Sequence, residues 1–264
     1  MIDYASYQTI ATERRGRILT LTLNRPDVMN MVDPLMHEEL ARIFYDVQLD
    51  EEADVVVLTG AGRAFSAGGD VRQMVEAYDA GKERLSRADA KRIIFSLLDL
   101  EKPIIARVNG HAMGLGATLA LFCDVIFMAE KAKIGDAHVP AGVAAGDGGA
   151  IIWPQLIGYA RAKEWLMTGD AMTAQEAERL GLVNHVLPLE ELDARVYGFA
   201  ERLASGPVKA IQYTKVAVNI GLKQLAHSIM DVGIAYEWIN FKSKDHREAA
   251  AAFLERRPPR FTGQ

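Results

Sequence analysis

The sequence predicts an α/β fold with an all-helical C-terminal region. Three observations predict it. Short apolar strands alternate with helices, the unit of strand, glycine-rich loop and helix occurs twice, and the chain beyond Pro188 carries helical signals almost to its end.

The elements follow in order. Arg17 to Leu23 alternates Ile18, Thr20 and Thr22 with Leu19, Leu21 and Leu23, which reads as a strand with one strongly apolar face. Asn24-Arg25-Pro26-Asp27 is a turn. A helix should follow, with Asp33 as N-cap, Pro34 at the first helical position and Leu35, Leu40 and Ile43 inward. Val55 to Leu58 is a short buried strand entering Gly60-Ala61-Gly62. Lys82 to Leu100, charged early and apolar late, reads as a helix ending before Pro103. Ile104 to Val108 is a strand entering the glycine-rich stretch Asn109 to Gly116, and an apolar helix comes next. Thr173-Ala174-Gln175-Glu176 is a capping box whose helix Gly181 terminates. Beyond Pro188 the expected helices are Leu189 to Leu203, Val208 to Asn219, Leu222 to Phe241 and Asp245 to Arg256, stopped by Pro258-Pro259. The change of character near residue 190 suggests an α/β core over 1–189, holding the site, and a helical region over 190–264. With no flexible linker between them, the two should pack together or against a neighbouring subunit.

Composition narrows the function classes. Half of the 264 residues are hydrophobic and a quarter are charged, as in an ordinary globular protein. A net charge of −5 without a Lys/Arg cluster argues against a nucleic-acid partner. Cys123 is the only cysteine, so neither a disulfide within the chain nor a cysteine metal site is expected. Its neighbours Ala120, Leu121 and Phe122 make it a buried structural thiol. His37, His111, His185, His227 and His246 are too scattered for a metal cluster, and no metal is expected. Trp153, Trp165 and Trp238 sit in apolar helical contexts and read as core or interface residues. No basic-then-apolar leader and no run of about 18 apolar residues is present, so a cytoplasmic protein without membrane association is expected.

The paired glycine loops carry the chemistry. Each delivers backbone N–H groups at a helix start, where unsatisfied donors and the helix dipole favour negative charge. A phosphate loop would end in Gly-Lys-Ser/Thr, and neither does. A dinucleotide fingerprint would need a third glycine where Leu119 stands. Two readings stay open on pattern alone: tight turns, or an oxyanion hole with one N–H from each loop.

Arg63-Ala64-Phe65-Ser66-Ala67-Gly68-Gly69-Asp70 resembles the first signature of the crotonase (enoyl-CoA hydratase/isomerase) superfamily, Ala-Phe-x-Ala-Gly-x-Asp. Val108-Asn109-Gly110-His111-Ala112-Met113-Gly114-Leu115-Gly116 resembles the second, with Cys123-Asp124 after it. Leu23-Asn24-Arg25-Pro26, Met167-Thr168-Gly169-Asp170, Gly181-Leu182-Val183 and Phe253-Leu254-Glu255-Arg256-Arg257 also fit, in the family's order across the chain. The resemblance implies a spiral of repeated strand-strand-helix units, with C-terminal helices that assemble homotrimers, often paired as hexamers. It also implies an acyl-CoA substrate, with coenzyme A as part of the substrate and no separate cofactor. The Gly69 and Leu115 N–H groups would form the oxyanion hole. Arg25 and the Ser66, Ala67, Gly68 and Asp70 backbone, with Gly114, would lie along the substrate.

The chain departs from the family where its hydratases carry two catalytic glutamates. Thr118 stands in the first place, where it reads as a helix hydroxyl bonded to its own backbone. His138, in Ile134-Gly135-Asp136-Ala137-His138, stands in the second. Imidazole suits proton transfer near neutral pH, and His138 is expected to be the general base. Asp147, nine residues on, could orient it or could cap the helix from Gly149 to Ile157. A minority of crotonase relatives hydrolyse carbon–carbon bonds of β-diketones with a His/Asp pair and a C-terminal glutamate. His138 and Asp147 match that spacing, and Glu237 falls at the corresponding place, where it could equally be a solvated helix position. The resemblance thus leaves three readings: a hydratase/isomerase-type enzyme, a β-dicarbonyl hydrolase, and a weakly active acyl-CoA binding protein.

Overall fold

A computed structural model describes residues 2–81 and 85–264. Lys82, where the second helix was expected to begin, lies outside them with Glu83 and Arg84. An antiparallel hairpin of β1 (Ile10–Arg15) and β2 (Ile18–Leu23) leads into α1 (Pro34–Leu49). Then the chain winds in repeated turns. The first comprises β3 (Val55–Gly60), β4 (Ala64–Ser66), α2 (Val71–Asp79) and α3 (Arg87–Asp99). The second is β5 (Ile104–Val108), β6 (His111–Met113) and α4 (Leu115–Leu121). The third is β7 (Val125–Ala129), β8 (Lys133–Gly135), α5 (Gly149–Ile157) and α6 (Tyr159–Thr168). The remainder is β9 (Met172–Thr173), α7 (Ala174–Leu180), β10 (His185–Leu187), α8 (Leu189–Ala204), α9 (Val208–Asn240) and α10 (Lys244–Glu255).

Each turn places its first strand in a six-stranded sheet, ordered β1-β2-β3-β5-β7-β10, and its second in a four-stranded sheet, ordered β4-β6-β8-β9. Between successive turns, neighbouring strands pair in parallel. The strand-strand-helix spiral is therefore the fold, and the glycine loops fall at equivalent strand ends of successive turns.

The structure corrects four details. β2 is buried on both faces, because α8 packs on the sheet and covers the threonine side, with Thr20 Oγ1 3.0 Å from the Tyr197 hydroxyl. In α1, Asp33 accepts the Met36 N–H and fixes the first turn, so the inward stripe runs through Met36, Leu40, Ile43 and Val47 and leaves Leu35 exposed. β1, with the polar sequence Ala-Thr-Glu-Arg-Arg after Ile10, was not anticipated. Last, the helices expected over 208–219 and 222–241 are one 33-residue helix. Gly221 passes through it, a residue that costs about 1 kcal/mol in a helix and that packing of α9 on α3 and α5 offsets.

One hydrophobic cluster spans the expected 189/190 division. Leu192 and Val196 of α8 and Met230, Ile234 and Trp238 of α9 belong to the same core as β3 and β5. Leu222, Leu225 and Ile229 also pack on it, while Ile220 and Val232 are exposed. Among the described residues no helix is long and apolar enough to cross a membrane.

Candidate active site

The two loops touch backbone to backbone. Gly68 and Gly114 have φ values of +83° and +52°, which favour glycine. A Cβ at Gly68 would lie 2.8 Å from the Met113 carbonyl oxygen, and one at Gly116 would lie 2.7 Å from Ser66 Cβ. Val32 bridges the first loop: its N–H donates to Gly68 O at 2.8 Å and its carbonyl accepts from Asp70 N–H at 3.4 Å. That pattern skips Gly69, whose N–H faces away from the bridge. Leu115 opens α4, so its N–H has no acceptor within the helix, and no side chain caps it. Among the described residues neither N–H donates a hydrogen bond. Gly69 and Leu115 both line one cavity of about 250 Å³.

Proton-carrying side chains line the same cavity. β8 ends at Gly135, and His138 stands at the start of a short 3-10 turn, Val139–Ala141. His138 Nδ1 lies 2.7 Å from Asp136 Oδ1, which also accepts the His138 backbone N–H at 3.2 Å. On the other side, Nε2 lies 3.2 Å from Asp147 Oδ2 and 3.9 Å from Glu237 Oε1. Asp147 Oδ1 accepts the Thr118 hydroxyl at 3.1 Å. Thr118 is thus bonded to the site rather than to its own helix backbone, because Asp147 offers a buried, charged acceptor. Gly148 takes the cap position of α5, and the Asp147 carboxyl meets the first helical N–H, that of Gly149.

Glu237 is 4% exposed, not a solvated helix residue. It reaches the site because α9 approaches closely: a Cβ at Gly146 would lie 2.3 Å from Gly233 O and 2.8 Å from Glu237 Cβ. Gly233, one turn before Glu237, is the sequence signal for this approach. Asp136 was also missed, although an aspartate two residues before a histidine in a turn can bond both its backbone and its ring. Its Oδ2 is buried without a hydrogen-bond partner among the described residues, and sits 2.2 Å from where a Cβ on Gly149 would be.

The two carboxylates set the electrostatics of His138. Burial opposes its protonation, but the charges of Asp136 and Asp147 and their hydrogen bonds outweigh burial and hold its pKa well above the ordinary value. Burial pushes the Asp147 carboxyl up, and it is outweighed by His138, Thr118 and the Gly149 N–H, which leave it below the usual carboxylate range. The shift favours the imidazolium, the form of the ring with no lone pair to accept a proton. Asp136, His138 and Asp147 also bring ligand atoms within 4.8 Å of one another. A metal there would have to displace a carboxylate from a ring nitrogen.

Ala67, Gly68, Gly69, Gly114, Leu115, His138, Asp147 and Glu237 meet at the cavity. Ser66, Asp70 and Arg25 do not line it. The Ser66 hydroxyl is fully buried, donating to Asn30 O at 2.8 Å and accepting Gly68 N–H at 3.2 Å. Asp70 caps α2 through the Arg72 and Gln73 N–H groups. The Arg25 guanidinium binds Met31 O and lies 3.1 Å from Asp33 Oδ2. These side chains shape the loops. The cavity lining also includes apolar side chains: Trp238 of α9, Phe241 just after it, Phe253 of α10 and Met74 of α2.

The family profile described as enoyl-CoA hydratase/isomerase matches residues 13–264. The chain belongs to the enoyl-CoA hydratase/isomerase family. Crotonyl-CoA hydratase of Syntrophomonas wolfei is 34% identical over 257 residues, covering 97% of this chain and 98% of the relative. The 1,2-epoxyphenylacetyl-CoA isomerase of Escherichia coli K12 is also 34% identical, over 254 residues, covering 94% of this chain and 95% of the relative. The crystal structure of an enoyl-CoA hydratase/isomerase from Mycobacterium paratuberculosis superimposes with a TM-score of 0.86 at 35% identity, covering 92% of this chain and 97% of that one. As a member of this family the chain is a crotonase-fold enzyme. A hydratase and an isomerase resemble it equally, so the particular reaction must be argued from the site.

Proposed function

We propose that the protein acts on an acyl-CoA thioester by stabilising its enolate, with His138, Asp147 and Glu237 replacing the two glutamates of the family's hydratases. The observation that carries this reading is the placement of the two free N–H donors, Gly69 and Leu115, on the same cavity as His138 and two buried carboxylates. A thioester carbonyl accepting both donors gains charge as the α-carbon loses or receives a proton, and each donor stabilises that charge by about 2.7–4 kcal/mol. The cavity is smaller than the roughly 300–1,000 Å³ of sites for drug-sized ligands. It suits the acyl end of a thioester, with the nucleotide outside. Coenzyme A enters as part of the substrate, and no further cofactor is invoked.

A second reading has an observation of its own. Glu237 lies within ion-pair range of His138, as carbon–carbon hydrolysis of a β-dicarbonyl by a His/Asp/Glu set would require. Turnover assays with short enoyl-CoAs beside cyclic and linear β-diketones separate the two. Activity on the diketones alone, without a CoA requirement, would overturn the thioester reading; acyl-CoA binding with no turnover would leave a binding protein.

We also propose assembly as a homotrimer or a pair of trimers. Val218, Val232, Tyr236 and Ile239 are all more than half exposed and fall on one stripe of α9.

A further inference from the structure

Asp136 faces His138 from behind and does not line the cavity, yet it makes the shorter of the ring's two carboxylate bonds. One of its oxygens binds both the Nδ1 side of the ring and the His138 backbone N–H. The other is buried against Gly149 with no hydrogen-bond partner among the described residues, and the residue is 1% exposed. A buried carboxylate left half-satisfied is costly. If shape alone mattered, an asparagine would fill this place without burying a charge. The arrangement also differs from an ordinary Asp–His base. There one carboxylate holds Nδ1–H and the Nε2 lone pair stays bare. Here a second carboxylate, Asp147, meets Nε2 at 3.2 Å, and two ionised carboxylates on two nitrogens are both satisfied when the ring carries two protons.

We infer that Asp136 is a positioning residue that retains the Nδ1 proton of His138, so that the ring works as the acid of the reaction and a cavity carboxylate works as the base. The inference deepens the enolate reading and rests on it for the chemical step. The cavity carboxylate first takes a proton from a substrate carbon, or from water as its oxygen adds to the β-carbon. The electron pair released ends on the thioester oxygen as the enolate, and the Nε2–H bond then breaks as a C–H bond forms at the α-carbon. The electron pair stays on Nε2, and the ring becomes neutral with Nδ1–H still donated to Asp136. The carboxylate then gives up its proton and Nε2 regains one, directly or through solvent, which resets both groups. The charged groups facing the ring are Asp136 after β8, Asp147 before α5 and Glu237 on α9. Two other titratable side chains stand near: His37 of α1 lines the cavity, and His246 of α10 bonds to Ala141 O at 2.7 Å.

The test is the pH titration of the His138 ring nitrogens by NMR in ¹⁵N-histidine-labelled full-length protein, wild type and Asp136→Asn. Asparagine keeps an acceptor for Nδ1–H and removes the charge. The expected result is a doubly protonated wild-type ring at neutral pH and a midpoint lowered by about 1–3 pH units in Asp136→Asn. On a turned-over acyl-CoA, the high-pH fall of kcat should move down by a similar amount, with KM nearly unchanged. A wild-type ring carrying one proton at neutral pH, or an Asp136→Asn ring with the wild-type midpoint, overturns the assignment. If Asp136→Asn does not fold, the wild-type ring alone decides. The titration is read without substrate, so the expected shift in a protein inactive on every acyl-CoA would uphold the role of Asp136 and overturn the thioester reading.

Discussion

Thr118 Oγ1 donates to Asp147 Oδ1 at 3.1 Å, and through that bond a helix residue with no acid–base chemistry sets the direction of a buried carboxylate. Thr118 is fully buried in α4, so its hydroxyl has no solvent alternative. Replacing it with valine keeps the shape and leaves Asp147 Oδ1 without that donor. Thr118→Val should lower unfolding free energy by about 1–3 kcal/mol in urea titrations, and Thr118→Ser should recover most of it. Equal stability of the valine variant and wild type would remove this bond from the account.

Gly69→Pro deletes one N–H from the proposed oxyanion hole. With the fold verified by circular dichroism, kcat should fall by about 10²–10³-fold, while acyl-CoA binding changes less. Near-normal kcat in a folded variant would exclude Gly69 as a donor.

The raised pKa of His138 also predicts how stability varies with pH. Because its folded pKa is raised, its contribution is whole below the unfolded value of about 6.5 and is lost as pH rises through the folded value. Asp147, with a lowered folded pKa, contributes above the unfolded carboxylate range and loses that contribution as pH falls through its folded value. The Tm difference between wild type and His138→Gln should therefore be largest at about pH 5–6 and shrink towards alkaline pH. A difference constant from acid to alkaline conditions would mean that the ring is not charged in the native state.

How much of this was legible in the sequence depended on how local each signal was. The capping residues Asp33 and Thr173 and the terminating Gly181 act within one helical turn and were readable directly. The glycine loops announced paired N–H donors, since a positive φ at Gly68 and Gly114 is a local demand. The partners of His138 were harder. Asp147 was within reach of spacing, but Glu237 is 99 positions from His138 and arrives only because Gly146 and Gly233 let α9 approach. Thr118 was misread because a hydroxyl's partner depends on what packs above its helix, which periodicity does not encode. Edge strand β1 was missed for a related reason: its polar residues carry no alternating apolar signal.

Gly146→Ala tests that close approach. The added methyl meets Gly233 O and Glu237 Cβ, so α9 must move outward. If Glu237 is part of the proton machinery, Glu237→Gln should lower kcat by about 10²–10⁴-fold. Gly146→Ala should lose a substantial part of that activity while Glu237 itself is unchanged. Full activity in both variants would assign Glu237 to structure alone.

The exposed α9 stripe gives an assembly test. Val232→Glu with Ile239→Glu should convert the proposed trimer to monomer in sedimentation, because each places a charge in a contact that excludes water. A wild-type protein that sediments as a stable monomer would overturn the assembly proposal.

Asp136 Oδ2 occupies the space that a Cβ on Gly149 would need, and this has a consequence for descent as well as for chemistry. Any lineage that keeps the aspartate is barred from a side chain at 149, and one that acquires alanine there must first shed or shrink the residue at 136. The two positions, 13 apart, should thus be inherited as a block together with His138 and Asp147. Asp-x-His followed by Asp-x-Gly at this spacing would then sort relatives carrying the doubly held ring from those that merely have a histidine at this place. The combination can be sought in genomes before any of their products is purified.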